Sequence, residues 1–122
     1  MDPILIGHAL LASFFTAVAV FFKKKQPKSI NAWFGYRTPF STKNQRVWEE
    51  ANQYSTNATL VVAGLLILFQ AIAYSLVGGL QSFTASATFL AVASVLVLPI
   101  TEMHLKKVFD RNGQRKNVSD RS

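Results

Sequence analysis

Residues 54–101 read YSTNATLVVAGLLILFQAIAYSLVGGLQSFTASATFLAVASVLVLPIT and contain no Asp, Glu, Lys or Arg. A helix needs about 20 apolar residues to cross the roughly 30 Å hydrocarbon core of a bilayer, so this run is long enough for two crossings. Its middle part, SLVGGLQSF (75–83), combines two Gly with Ser and Gln, which is typical of a turn. The run therefore predicts two spans, at about 58–78 and 84–101, joined by that turn.

Residues 4–22, ILIGHALLASFFTAVAVFF, also contain no Asp, Glu, Lys or Arg and predict one further span. The 122-residue chain is therefore predicted to be an all-α membrane protein, a single membrane domain with three transmembrane helices. Small residues recur at four-residue spacing in the first and third spans, which lets helix backbones approach closely and predicts packing faces. These residues are Ala9, Ser13 and Ala17 in the first span and Ala87 and Ala91 in the third.

The positive charge is confined to two segments of the chain. Of the 13 Lys and Arg, seven lie in residues 23–46 and six follow residue 105. The positive-inside rule then places the N-terminus and the turn outside, with the 23–57 loop and the 102–122 tail in the cytoplasm. The net charge of +7 is thus a membrane-orientation charge, and the expected partners are membrane lipids and not nucleic acid.

The cytoplasmic loop contains the segment WFGYRTPF (33–40), in which four aromatic residues surround Arg37. Gly35 and Pro39 are incompatible with a continuous helix and predict a shaped turn. Arginine presents a planar fork of donors that can stack on rings while binding a carboxylate, phosphate or carbonyl, which favours a recognition surface. In the other interpretation Arg37 only attaches the loop to the ends of the spans. A specific hypothesis is that Arg37 pairs with Glu102, the acid at the predicted inner boundary.

From Thr42 the chain is predicted to be helical before it enters the membrane. Thr42 and Gln45 have the spacing of a capping box, and Arg46 and Glu50 have that of an i,i+4 ion pair. Apolar residues then recur at helical spacing, so the second span is predicted to have an amphipathic helical extension along the inner membrane surface. Trp48, with an apolar body and one N–H donor, suits that interface.

Besides hydroxyl-bearing residues, the predicted spans contain His8 in the first span and Gln70 in the second. Such residues are candidates for function, although His8 could also reach headgroups and Gln70 could bond a neighbouring helix. The chain has no cysteine, which excludes disulfides and thiolate metal sites. It also lacks a Gly-rich phosphate loop, a metal-spaced cluster and a nucleophile with an evident base. We therefore expect a protein that is not an enzyme and carries no cofactor.

The stretch GYRTPFSTKNQRVWEEAN (35–52) resembles the signature of the SdpI family of bacterial membrane proteins, a Gly-Tyr-Arg-Thr turn followed by an Asn and then by a Trp ahead of Ala-Asn. The tail TEMHLKKVFDRNG (101–113) resembles the ending of the same family. The resemblance covers about residues 31–113 and implies signature positions, although not their individual roles. They are Gly35, Tyr36, Arg37, Thr38, Asn44, Trp48, Asn52 and Glu102.

The resemblance implies a multi-pass protein of the bacterial inner (plasma) membrane. The family's named member is an immunity protein that protects a toxin-producing cell from its own membrane-active peptide and also captures a transcriptional repressor. It has several spans ahead of the motif where this chain has one. By resemblance we expect resistance to a peptide toxin, with signalling as a further expected role and with that toxin or a membrane protein as partner. We also expect the chain to form a homo-oligomer. The alternatives are an accessory or scaffold subunit of a larger membrane complex and an enzyme that handles lipid headgroups.

Overall fold

The computed structural model describes residues 2–31 and 35–116, which form three α-helices. They are α1 (Pro3–Lys24), α2 (Gln45–Leu76) and α3 (Gly79–Val108). In this part of the chain the β-structure is one isolated bridge, between Phe109 and Arg115. All three helices are long and apolar enough to cross a membrane, so the predicted all-α fold with three spans is confirmed.

Large apolar side chains cover the outside of all three helices. Leu10 and Phe14 on α1, Leu68 on α2 and Val95 on α3 are all exposed. Removing apolar surface from water is favourable by about 25 cal/mol per Å², so exposing these side chains to water would be costly. Lipid tails are as apolar as these side chains, so contact with lipid carries no such cost. The outward-facing surface of the bundle therefore suits a lipid environment.

The helix α2 has 32 residues and is about 48 Å long, which exceeds the roughly 30 Å of the hydrocarbon core. Its first turns bury Val47 and Ala51 in a small core against residues from the end of α3 and beyond, namely Leu105, Val108 and Phe109. The predicted amphipathic extension of the second span is thus present. Its apolar face packs on protein, because the end of α3 runs beside it, and not on the membrane surface.

The connection between α2 and α3 is shorter than the turn predicted within residues 75–83. The helix α2 ends at Leu76 and α3 begins at Gly79, so the turn is Val77 and Gly78. Gly78 and Gly79 have φ of 69° and 60°, a left-handed conformation that favours glycine. The paired glycines therefore reverse the chain by themselves, and the Ser and Gln that follow are already helical.

The start of α2 differs from the predicted capping box. Asn44 is the N-cap, and its side-chain Oδ1 accepts from the amide of Val47 at 3.0 Å. The hydroxyl of Thr42 instead donates to the carbonyl oxygen of Thr38 at 2.9 Å. Thr42 does not cap the helix because its side chain belongs to the preceding turn.

Candidate functional site

Seven of the eight signature residues are in direct contact with one another or with the segments that flank them, at the end of the bundle where α2 begins and α3 ends. We call this the loop end, and the opposite end, which holds Asp2 and the α2–α3 turn, the Asp2 end. The loop end consists of residues 35–44, the first turns of α2, the last turns of α3 and the segment 109–116 that follows. Tertiary contacts hold each of these segments in place.

Gly35 occupies a position that only glycine suits. Its φ is +105°, which L side chains rarely adopt. A Cβ there would lie 2.6 Å from Cγ of Pro27 and 2.7 Å from Oδ1 of Asn52. Both the backbone conformation and the lack of space therefore require glycine at the start of the turn.

Asn52 joins this turn to α2. Its side chain is buried, with Oδ1 accepting from the amide of Tyr36 at 2.8 Å and Nδ2 donating to the carbonyl oxygen of Trp48 at 2.9 Å. Trp48 is fully buried, and its Nε1 donates to the carbonyl oxygen of Pro27 at 3.0 Å. The prediction of Trp48 at the lipid interface is therefore wrong, because the indole lies beneath the polypeptide that connects α1 to the turn.

Tyr36 connects the turn to α3. Its phenol oxygen lies 2.8 Å from Oε1 of Glu102 and 3.1 Å from the carbonyl oxygen of Leu98, so its single hydrogen has two acceptors. Burial, followed by the hydrogen bond and negative charge of Glu102, raises the pKa of the Tyr36 phenol well above its usual range. Between the described side chains, Glu102 is thus bonded to Tyr36, and the predicted pair with Arg37 is not formed.

Arg37 is exposed, although it lies between two residues whose backbones are fixed. On one side, the amide of Tyr36 is bonded to Asn52. On the other, the amide of Thr38 donates to Oγ of Ser41 at 2.7 Å, while the amide of Ser41 donates to Oγ1 of Thr38 at 3.1 Å. The predicted aromatic neighbours at positions 33 and 34 lie outside the described residues.

Ser41 is a structural residue of the site that the sequence reasoning missed. Its side chain is fully buried, and its hydroxyl lies within reach of the carbonyl oxygens of Tyr36, at 3.2 Å, and Thr38, at 3.1 Å. The backbone amides of Thr38 and Ser41 also donate hydrogen bonds to each other's side-chain oxygens. These contacts hold residues 38–41 in a closed turn. The spacing Thr-x-x-Ser, which has the form of a reciprocal cap, is the sequence signal that could have revealed it.

Asn44 connects the start of α2 to the segment after α3. Its Nδ2 donates to the carbonyl oxygen of Gly113 at 2.8 Å. Gly113 has a φ of +78°, and a Cβ there would lie 2.6 Å from Nδ2 of Asn44.

The predicted helix stop at 110–113 is a separate turn, because α3 has already ended at Val108. In that turn, Oδ1 of Asp110 accepts from the amides of two later residues, Asn112 and Gln114.

A contact between Glu50 and His104, which the sequence reasoning missed, lies beside the signature. Oε2 of Glu50 lies 2.9 Å from Nε2 of His104, and the ring of Tyr54 stacks on the imidazole with centroids 4.0 Å apart. Glu50 therefore contacts α3 and not Arg46, its predicted partner. The i,i+4 spacing of Glu50 and Tyr54 places both on one face of α2, but only the fold shows that His104 lies opposite.

A groove adjoins the turn through Gly35 and Tyr36. It has a volume of about 350 Å³ and lies where the end of α1, the start of α2 and the second half of α3 meet. Its lining combines apolar groups with hydroxyls and comprises Phe22, Pro27, Gly35, Tyr36, Asn52, Ser55, Thr56, Thr59 and Val97. Within the described ranges, no group of three His, Asp or Glu side chains is placed to hold a metal ion.

Comparisons with known proteins agree with these features. A model of the SdpI/YfhL protein family matches residues 28–101, which include seven of the eight signature positions. The chain is 37% identical over 102 residues to the uncharacterized protein YfhL of Bacillus subtilis (strain 168), covering 84% of each chain. No solved structure gives a significant match. The chain therefore belongs to the SdpI/YfhL family and is a multi-pass membrane protein of that family.

Proposed function

We propose that this protein confers resistance to a membrane-active peptide toxin, and that it does so by binding and not by catalysis. The observation that carries the proposal is the exposure of Arg37 on an otherwise fixed turn. The amides of its two neighbours are bonded to Asn52 and Ser41. An exposed guanidinium on an ordered backbone binds a partner at a smaller entropic cost than one on a mobile loop. A peptide carbonyl or carboxylate matches its donor geometry.

The neighbouring hydroxyls support a binding role over a catalytic one. The hydroxyl of Thr42 donates to the carbonyl oxygen of Thr38, and that of Ser41 has two carbonyl acceptors. An activated nucleophile needs an adjacent base, and these hydroxyls are held by backbone groups. The hydroxyls therefore shape the turn, and Arg37 is the group available to a partner.

The distribution of charge supports an orientation with the loop end in the cytoplasm of a bacterial inner membrane. No Lys or Arg precedes Lys23 or lies between Arg46 and Lys106, so the described cations belong to the loop end and its adjoining segments. A cytoplasmic excess of Lys and Arg is the usual determinant of orientation. In this orientation Arg37 meets a toxin that has already inserted into the membrane.

The test is protection of a sensitive bacterium that lacks its own immunity protein. Cells expressing this chain are challenged with the killing peptide against which the family's immunity protein acts, and membrane depolarisation is followed with a voltage-sensitive dye. We expect wild type and Arg111→Ala to protect, and Arg37→Ala to lose protection at equal membrane abundance. Absence of protection by the wild type, or full protection by Arg37→Ala, would contradict the proposal.

A second candidate function, as an accessory or scaffold subunit of a larger membrane complex, is favoured by one observation. Ala9, Ser13 and Ala17 are exposed, so the predicted packing face of α1 is not used within the chain. A row of small residues lets another helix approach closely. Disulfide trapping of Ser13→Cys in native membranes distinguishes the cases. Crosslinks between two copies of the chain indicate a homo-oligomer, and crosslinks to another protein indicate a scaffold. If no crosslink forms, the result counts against both.

A further inference from the structure

A second polar cluster lies at the Asp2 end, far along the helices from the signature residues. Its centre is His8 on α1, which is 5% exposed. Gln70 on α2 and Ser82 on α3 contact it and are also buried. A buried histidine in a membrane-spanning segment carries a desolvation cost that ordinary helix packing does not require. The cluster therefore needs an explanation beyond apolar packing.

The hydrogen bonds around His8 favour one position for the proton of the neutral imidazole. The Ser82 hydroxyl donates its one hydrogen to the carbonyl oxygen of Gly79 at 2.7 Å. With that hydrogen used, Ser82 Oγ is left as an acceptor for Nε2 of His8, which lies 3.0 Å away. Gln70 Nε2 donates to the backbone carbonyl oxygen of His8 at 3.1 Å and holds this turn of α1 in place. This arrangement favours the neutral imidazole with its proton on Nε2.

The other ring nitrogen is then a bare acceptor. Nδ1 of His8 is buried and has no hydrogen-bond partner among the described residues. The rings of Tyr74 and Phe83 pack edge-on against the imidazole, with centroids 5.8 and 5.6 Å away. An unpaired lone pair on a histidine nitrogen is a site that a proton can occupy.

The titratable groups that face His8 come from α1 and α2. Asp2, the N-cap of α1, is exposed and accepts from the Tyr74 hydroxyl at 2.7 Å. The pKa of Asp2 is lowered by this bond and then by the amide of Ile4, so the carboxylate is negative at neutral pH. From α3, Ser82 and Phe83 face the ring and neither titrates in this range. Asp2 is thus the one anion facing His8 from these elements, at the surface of the same end.

We propose that His8 Nδ1 is a proton-binding site supplied from the Asp2 end, and that its protonation releases the outer part of α1 from α3. A protonated Nδ1 adds a donor without an acceptor and a charge in a buried site, and both are costly. The Asp2 carboxylate draws this charge towards the surface. Movement of the ring towards Asp2 breaks the Nε2–Ser82 bond, which joins α1 to α3. In the orientation proposed above, the proton comes from outside the cell.

The test uses the full chain in lipid nanodiscs, labelled with ¹⁵N on its histidine rings and titrated from pH 8 to pH 5. NMR should show the Nε2–H form of His8 at pH 8 and proton uptake on Nδ1 during acidification. His104→Gln assigns the two histidines. The amide hydrogen-exchange rate of residues 79–86 is measured in wild type and in His8→Gln at each pH. The ratio of the wild-type rate to the His8→Gln rate should rise about threefold or more on acidification. Gln retains a side-chain N–H donor but cannot titrate.

Three results would overturn the proposal: the Nδ1–H form at pH 8, no titration of His8 above pH 5, or an exchange ratio that does not change with pH. Ser82→Ala provides a second variant that leaves His8 in place. It should abolish the preference for Nε2–H and give fast exchange of residues 79–86 already at pH 8. If residues 79–86 of Ser82→Ala exchange at the wild-type rate at pH 8, the His8–Ser82 bond does not hold α1 against α3.

Discussion

At the scale of single residues, the turn that begins at Gly35 depends on a backbone angle and on two contacts. We predict that Gly35→Ala lowers the free energy of unfolding by about 2 to 4 kcal/mol, since it combines an unfavourable positive φ with overpacking against Pro27 and Asn52. Denaturant titration in detergent micelles measures this. Gly64→Ala is the control, because a Cβ at Gly64 would meet nothing within 4 Å. Equal effects of the two substitutions would contradict this account of the turn.

Tyr36 gives a prediction about pH. The pKa of its phenol is raised in the folded protein by burial and by Glu102, whereas tyrosine in an unfolded chain titrates near pH ~10. The folded state therefore holds the phenol proton more tightly than the unfolded state does. The resulting contribution to the free energy of unfolding is fully present below about pH 10 and is lost as the pH rises through the folded-state pKa. Tyr36→Phe should cost about 1 to 2 kcal/mol at pH 8. The stability difference between wild type and variant should shrink at about pH 11; a constant difference would be inconsistent with the Tyr36–Glu102 bond.

The same residues show what the sequence could and could not predict at this scale. The family signature drew attention to Tyr36, Asn52 and Glu102, which hydrogen bonds join in the structure, but opposite charge suggested Arg37 as the partner of Glu102. The structure places the tyrosine there instead, because Asn52 fixes the backbone at Tyr36 and the phenol then reaches α3. Such a pairing depends on side-chain direction across 66 residues, which no local pattern encodes.

At the scale of elements, the start of α2 is held in two ways by Asn44, and these can be separated. Asn44→Asp keeps the acceptor that caps the helix at Val47 but removes the donor to Gly113. Asn44→Ala removes both and should cost about 1 kcal/mol or more. We expect hydrogen exchange at residues 109–116 to increase in both variants, and exchange at the first turn of α2 to increase only in Asn44→Ala. Protected 109–116 amides in Asn44→Asp would exclude the proposed connection.

Helix identity was predictable, whereas helix ends were less so. A charge-free run of apolar residues determines a span almost by composition. Helix boundaries depend instead on which side chain is free to cap. Thr42 had the spacing of a capping box, but its hydroxyl is bonded to the carbonyl oxygen of Thr38, and so Asn44 caps the helix. The α2–α3 turn was overestimated because Ser82 and its neighbours, although polar, continue the helix.

At the scale of the whole molecule, the distribution of charge predicts an orientation that labelling can check. The chain has no cysteine, so single substitutions report unambiguously. Val77 and Asn112 are both exposed, at opposite ends of the bundle. In intact cells, a membrane-impermeant maleimide should label Val77→Cys, and it should label Asn112→Cys only after permeabilisation. The reverse pattern would place the loop end outside and remove the cytoplasmic site.

The most direct test of the central claim, that Arg37 on its fixed turn is the group that recognises a partner, is native mass spectrometry. Wild type, Arg37→Ala and Arg111→Ala are extracted under mild conditions from membranes of cells exposed to the toxin peptide, and the intact masses are recorded. We predict a bound peptide on wild type and Arg111→Ala that is absent from Arg37→Ala. The same bound species in all three proteins, or in none, would contradict the claim and leave Arg37 without a role in recognition.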